Sequence, residues 1–383
     1  MPVSLFDTST SLAGLRDEIL ARMVEVVESS RFILGPNVEA FERELAGYVG
    51  AADAVGVANG TDAITIALRA MGVGPGDEVV VPSFTFYASA EAIPATGATP
   101  VFCDIDLETF CVTADTVRAA LTPRTKAVIA VHLFGNVAPV AEIEALGVPV
   151  LEDAAQAAGS SSEAGRAGAL GTGATFSFFP SKNLGAFGDG GAITTSDAEL
   201  ADRVRMLRFH GSRDKVSYEH IGYNSRLDEL QAAILRVALP HLDSWADGRR
   251  AAAAHYVGAG LGDLVALPLA VEGCGPAWHL YVVRDPAADE LALALDAAGI
   301  GNKAYYRTPI HRQPATAIAR RESSSSRWSP SRMRTTRSPL WPSERGVRPS
   351  RTHSMKCSHS SRSGSAPAIS GERISPARAT YSP

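Results

Sequence analysis

"TFSFFPSKNLGAFGDGGAI" fills residues 175–193. One lysine, Lys182, stands between an aromatic run (Phe176, Phe178, Phe179, with Phe187 just beyond) and a string of glycines. A lysine before a glycine-rich turn is ordinarily a solvated turn residue. Here the apolar flank offers a setting that pulls an ammonium down from about 10.4 toward the neutral, nucleophilic amine. The spacing of "GAFGDGG" does not fit G-x-G-x-x-G, so the glycines are not read as a dinucleotide fingerprint.

Outward from this stretch, short apolar runs alternate with helical ones. "ATPVFCDI" (98–105), "KAVIAVHLFG" (126–135), "VPVLEDAA" (148–155) and "GAITTSD" (191–197) read as buried strands. "TDAITIALRAMG" (61–72) and "DAELADRVRMLRFHG" (197–211) read as helices, as does the span from 12 to 50 with its 3.6-type spacing. The alternation predicts an α/β fold with a mostly parallel sheet covered on both faces. A large domain is expected over 1–245. Long helices over 227–260 lead out of it to a smaller, truncated α/β domain over 246–315, with "AWHLYVVRD" (277–285) as a strand.

Ligands of open α/β sheets gather at the carboxyl ends of strands. Asp153 ends the strand "VPVLED", Ser177 lies in or beside the next strand, and Lys182 follows five residues later in a loop. A lysine can hold an aldehyde as a Schiff base. A buried carboxylate can keep a pyridinium nitrogen protonated. Gly60 and Thr61 in "ANGTDAITIALRA" open a helix whose free amides and dipole favour a phosphate, aided by the Thr61 and Ser177 hydroxyls. Aldehyde, ring nitrogen and phosphate are the three handles of pyridoxal 5′-phosphate.

"NGTDA", "DEVVVPSFTFYASAEAI", "ATPVFCDID", "LEDAAQAAGS", "FSFFPSKNLGAFGDGGAI", "GYNSRLDELQAAIL" and "YYRTPIHRQP" occur in that order. Over about residues 10–315 the chain resembles the sugar aminotransferases of the DegT/DnrJ/EryC1/StrS family. The resemblance implies a PLP-dependent transferase of fold type I, aspartate-aminotransferase-like, working as a homodimer with shared active sites. It implies that Lys182 carries the cofactor and shuttles protons, and that Asp153 pairs with the pyridinium. Gln156 meets the phenolic oxygen, and Phe86 stacks on the ring. Gly60, Thr61 and Ser177 bind the phosphate, and Asn224 reaches the cofactor of the partner subunit. Tyr306 and His311 fall in the segment resembling the family's substrate-contacting strand. The expected reaction moves an amino group from an amino acid, glutamate, to a keto-sugar nucleotide in amino-sugar biosynthesis.

Rival readings are a keto-cyclitol or other non-nucleotide substrate, a dehydratase of the same family, and a non-catalytic module on the same fold. The dehydratase branch replaces the Schiff-base lysine with histidine, whereas this chain keeps Lys182. An intact Lys182, Asp153 and Gln156 set speaks against the binding module.

The bulk composition fits a cytoplasmic protein acting on small molecules. The chain has 383 residues, 45% hydrophobic and 20% charged, with a net charge of −5 that makes no case for nucleic acid or anionic membrane. Its cysteines, Cys103, Cys111, Cys274 and Cys357, are too scattered for a disulfide framework or a metal site. The N-terminus lacks an apolar signal core, and no stretch is long and apolar enough to span a membrane. Composition changes near Ala315. Residues 320–383 hold 12 Arg and 1 Lys against 3 Glu, a net +10 that leaves −15 on residues 1–319. A polyanion-binding tail, a plain linker and a slipped reading frame compete to explain the Ser/Arg/Pro-rich stretch over 316–383. The slipped frame is the favoured reading.

Overall fold

The central β-strands are apolar on both sides, so they alternate between two cores rather than between core and water. In the computed structural model, which describes residues 2–316, β2 (Glu78–Pro82) sends Val79 and Val81 to one core and Val80 to the other. β4 (Thr125–Val131) divides in the same way, with Ala127, Ile129 and Val131 on one face and Val128 and Ala130 on the other. These two strands belong to a seven-stranded sheet. Its other members are β1 (Asp53–Val57), β3 (Thr99–Cys103), β5 (Val150–Asp153), β8 (Gly173–Ser177) and β9 (Gly191–Thr195). β6 (Ser161–Ser162) and β7 (Gly165–Arg166) form a separate small hairpin.

The sheet order is β1-β9-β8-β5-β4-β2-β3. The run from β8 to β3 is parallel, and β9 is antiparallel to both β8 and β1. All strands but β9 therefore end on one edge. Helices Pro36–Val49 and Glu229–Ala238 cover one face, and Gly60–Ala70 with Ala198–Arg208 cover the other.

β5 carries two adjacent carboxylates that point to opposite faces. Glu152 is fully buried on one side and accepts from the amides of Gly168, Leu170 and Gly171 at 2.8, 2.7 and 2.9 Å. It also accepts from His132 Nε2 at 2.8 Å, because His132 Nδ1 is committed to the Ala138 amide. Asp153 faces the other way, toward the strand-end edge.

Two expectations need correction. The span 12–50 is not one helix: Arg16–Ser29 and Pro36–Val49 are separated by Ser30 and Leu34, both with positive φ, and Pro36 starts the second helix. The first turn of that second helix is capped from a distance. Glu229 is buried and accepts from the amides of Gly35, Asn37 and Val38 at 2.9, 2.9 and 2.8 Å. The stretch 277–285 is not a strand. Its backbone groups are taken by loops and side chains: the Ala277 amide donates to the Gly135 carbonyl, and Arg249 donates to the carbonyls of Trp278 and His279. Trp278 also adopts a φ of 40°.

The expected limit of the large domain at 245 falls inside the helix Leu242–Gly258. The expected tail over 316–383 lies, apart from Thr316, outside the described residues. Among the described residues, no helix is long and apolar enough to cross a membrane.

Replacing Glu229 with alanine leaves a buried helix start without acceptors. A loss of about 3 kcal/mol is expected from unfilled amides in a dry site. Urea unfolding of Glu229→Ala beside the unaltered chain measures it, and an unchanged midpoint contradicts the capping role.

Candidate active site

Strand register brings the chemistry together. β5 and β8 are adjacent and parallel, with Asp153 opposite Thr175. Ser177 is the last residue of β8, and the connection to antiparallel β9 carries Lys182 back over the same edge. β1 also ends there and leads through Asn59 into the helix Gly60–Ala70.

Asn59 caps that helix, its Oδ1 accepting from the Asp62 amide at 2.8 Å. The amides of Gly60 and Thr61 come before any helical acceptor and point out of the helix start. Gly60 abuts Ser177 so closely that a Cβ there would lie 2.7 Å from the Ser177 Cβ. The glycine string beyond Lys182 serves a similar approach: a Cβ on Gly191 would lie 2.5 Å from the Asn59 carbonyl. Gly60 and Ser177 thus meet at one donor-rich corner that Thr61 adjoins.

Asp153 is 5% exposed and well partnered. Its Oδ2 accepts from Ser89 Oγ at 2.7 Å and its Oδ1 from the Ala155 amide at 3.2 Å. Thr85 Oγ1 stands 3.2 Å behind Ser89. Lys182 is half-buried. Burial pushes its ammonium below the ordinary lysine value, and the nearby Asp153 carboxylate opposes part of that shift. A lysine that gives up its proton readily beside a fixed carboxylate is the arrangement a covalent amine catalyst needs.

Gln156 is buried, with Oε1 accepting from the Phe134 amide at 2.7 Å and Nε2 donating to the Tyr306 hydroxyl at 3.3 Å. Tyr306 stacks on Phe134 with ring centres 6.2 Å apart, and burial raises its phenol pKa. The structure therefore joins Tyr306 to the Asp153–Gln156 group. Phe86 lies in the loop after β2 and is 55% exposed. Asn224 is exposed, in a bridge with Phe209. His311 lies against Phe102 on edge strand β3, three strands from Asp153, and is not drawn into the cluster.

Sequence reasoning missed Ser89, Thr85, Asn183 and His279. His279 is 8% exposed, and its Nδ1 meets Asn183 Oδ1 at 3.0 Å. Burial drives its pKa well below the ordinary imidazole value, and the neighbouring Lys182 and Arg249 cations add to this. Its only sequence signal was a polar residue inside an apolar run. Among the described residues, no group of histidine, cysteine and acidic side chains could hold a metal ion.

A mixed sheet whose antiparallel return loop carries a half-buried lysine is the fold type I arrangement of aspartate-aminotransferase-like enzymes. The chain belongs to the DegT/DnrJ/EryC1/StrS aminotransferase family, whose model matches residues 14–341, beyond the limit of about 315 read from motifs. It is 49% identical over 324 residues to a pleiotropic regulatory protein of Geobacillus stearothermophilus, covering 83% of this chain and 87% of that one. It is 47% identical over 321 residues to a dTDP-3-amino-3,4,6-trideoxy-alpha-D-glucose transaminase of Streptomyces venezuelae, covering 82% and 84%. The crystal structure of S. venezuelae DesV superimposes with a TM-score of 0.80 at 47% identity, covering 83% of this chain and 87% of that one.

His279 gives the fold a measurable acid sensitivity. In the unfolded chain its imidazole takes up a proton near pH 6.5, while the folded chain resists protonation until lower pH. The unfolded state binds more protons in that window, so stability falls on acidification, by up to about 1.4 kcal/mol per pH unit from this residue. Denaturant unfolding at pH 7.5, 6.5 and 5.5 is expected to show a shallower decline for His279→Gln. Equal slopes for the two proteins contradict this.

Proposed function

We propose that the chain transfers an amino group from an amino acid, glutamate, to a keto-sugar nucleotide, using pyridoxal 5′-phosphate. The observation that carries the reading is Lys182, in the loop after β8, its pKa lowered by burial and held up in part by the nearby Asp153 carboxylate at the end of β5. The corner suits the cofactor's phosphate, because the free amides of a helix start at Gly60 and Thr61 lie beside Ser177, where a Cβ on Gly60 has no room. When bound, pyridoxal phosphate supplies an electron sink for a carbanion.

The residues divide the remaining work. Lys182 would hold the cofactor through its amine and, as a half-buried base, would take the substrate's α-proton. Asp153, fixed by Ser89 and the Ala155 amide, would supply the carboxylate that keeps the cofactor's ring nitrogen protonated. With its Oε1 tied to the Phe134 amide and one Nε2–H to Tyr306, Gln156 would have its second Nε2–H left to donate to the cofactor's phenolic oxygen. Phe86 offers an aromatic face, and Tyr306, joined to Gln156, contacts the sugar substrate, whereas His311 has only the family resemblance to support such a contact. The nucleotide-sugar reading draws on the S. venezuelae transaminase relative.

We place the enzyme in the cytoplasm as a homodimer, with Asn224, exposed in one chain, completing the partner's phosphate site. The division into a large domain to residue 245, a small one over 246–315 and an aberrant tail over 316–383 is part of the same reading. A regulatory module is the second reading, favoured by the name of the G. stearothermophilus relative.

Borohydride treatment after adding pyridoxal phosphate separates the two. The unaltered chain is expected to be labelled at Lys182, and Lys182→Ala to be unlabelled. Lys182→Ala and Asp153→Asn are each expected to lose at least about 100-fold in turnover. An unlabelled native chain turns the assignment toward the regulatory module.

Mixing tests the shared site. Lys182→Ala and Asn224→Ala are each expected to be weak alone. Co-refolded, they are expected to regain activity from mixed dimers that hold one intact site. No gain on mixing places Asn224 outside the partner's pocket.

A further inference from the structure

The residue after the lysine is polar and buried, which an ordinary turn does not require. Asn183 is 6% exposed and fully engaged. Its Nδ2 donates to the carbonyls of Ala158 and Ala277, both at 3.3 Å. Its Oδ1 lies 3.0 Å from His279 Nδ1. Because the amide nitrogen is committed to two carbonyls, Oδ1 can only accept, and His279 must carry its proton on Nδ1.

The three partners come from two segments. Ala158 lies five residues past Asp153, in the turn that also holds Gln156. Ala277 and His279 belong to the strap over 275–280. That strap is itself fastened, since the Ala277 amide reaches the Gly135 carbonyl and Ser160 Oγ, both at 3.0 Å. Ser160 Oγ in turn donates to the Gly135 carbonyl at 2.7 Å. The Lys182 amide closes its own turn on the Phe179 carbonyl at 2.8 Å.

We infer that His279, acting through Asn183, is a positioning residue that clamps the backbone of Lys182 against the segment carrying Asp153 and Gln156. It touches neither cofactor nor substrate in this assignment. Its effect is to fix where the lysine amine stands relative to the carboxylate, which a flexible, glycine-rich loop would otherwise leave loose. The inference rests on the cofactor reading above.

The test measures the rate at which added pyridoxal phosphate forms the borohydride-trappable adduct, and the visible circular dichroism of that adduct before reduction. Four proteins are compared: the unaltered chain, His279→Leu, Asn183→Asp and His279→Gln. Glutamine can still donate to Asn183 Oδ1, leucine cannot, and aspartate removes the two donors to Ala158 and Ala277. His279→Leu and Asn183→Asp are expected to form the adduct at least about tenfold more slowly and with weakened dichroism. His279→Gln is expected to stay within about threefold of the unaltered chain.

A folded His279→Leu with native rate and dichroism overturns the inference, as does a His279→Gln as impaired as His279→Leu. If His279→Leu does not fold, Asn183→Asp decides in the same way. An unaltered chain that forms no adduct overturns the cofactor assignment, and this inference with it. An unaltered chain that forms the adduct while every variant matches it overturns the positioning role alone.

Discussion

The site depends on one register: Asp153 at the end of β5 lies directly opposite Thr175 on β8. Two parallel strands about 4.8 Å apart thereby finish on the same edge. Because β9 returns antiparallel, the connection over 178–190 must cross back above that edge, and it brings Lys182 with it. β1, running the same way as β8, delivers the open helix start at Gly60 to the same place. Charge then does the selecting. Burial disfavours the lysine ammonium, the neighbouring carboxylate restores part of its stability, and hydroxyl and amide donors keep that carboxylate fixed.

Close backbone approach is the second constraint. Gly60 against Ser177, and Gly191 against Asn59, let a helix start and two strands meet with no side chain between them. The corner that results is lined by main-chain donors, which cannot rotate away. Its shape is set by the sheet itself, while the lysine loop is held by its own backbone turn and by the side chain of Asn183.

Local signals account for what was legible in the sequence. Asp153, Ser177 and the Gly60–Thr61 pair sit at strand ends and at a helix start, and those boundaries are written in neighbouring residues. Lys182 was singled out by its aromatic flank, yet Phe179 and Phe187 of that flank are exposed and Phe176 and Phe178 belong to the core. The absent signals were non-local. Ser89 is 64 residues from the carboxylate it braces, and His279 is 96 from Asn183. The break between the first two long helices was hidden because its cap, Glu229, comes from the far end of the domain. Apolar text at 277–285 suggested a strand, yet its backbone partners are loops and an arginine. Periodicity marks a strand but not its direction, so the reversal of β9, on which the lysine loop depends, could not be read from the alternation.

The paired acids of β5 have a consequence for how the chain assembles. Glu152 requires the three amides and the imidazole on its side, and Asp153 requires Ser89 on the other. A slip of one residue in β5 would exchange the two, stranding each carboxylate in surroundings built for its neighbour. The strand thus carries its own alignment key. Misregistered sheets are rejected by the same buried acids that, once seated, separate scaffold from chemistry, so assembly is proofread before any substrate arrives.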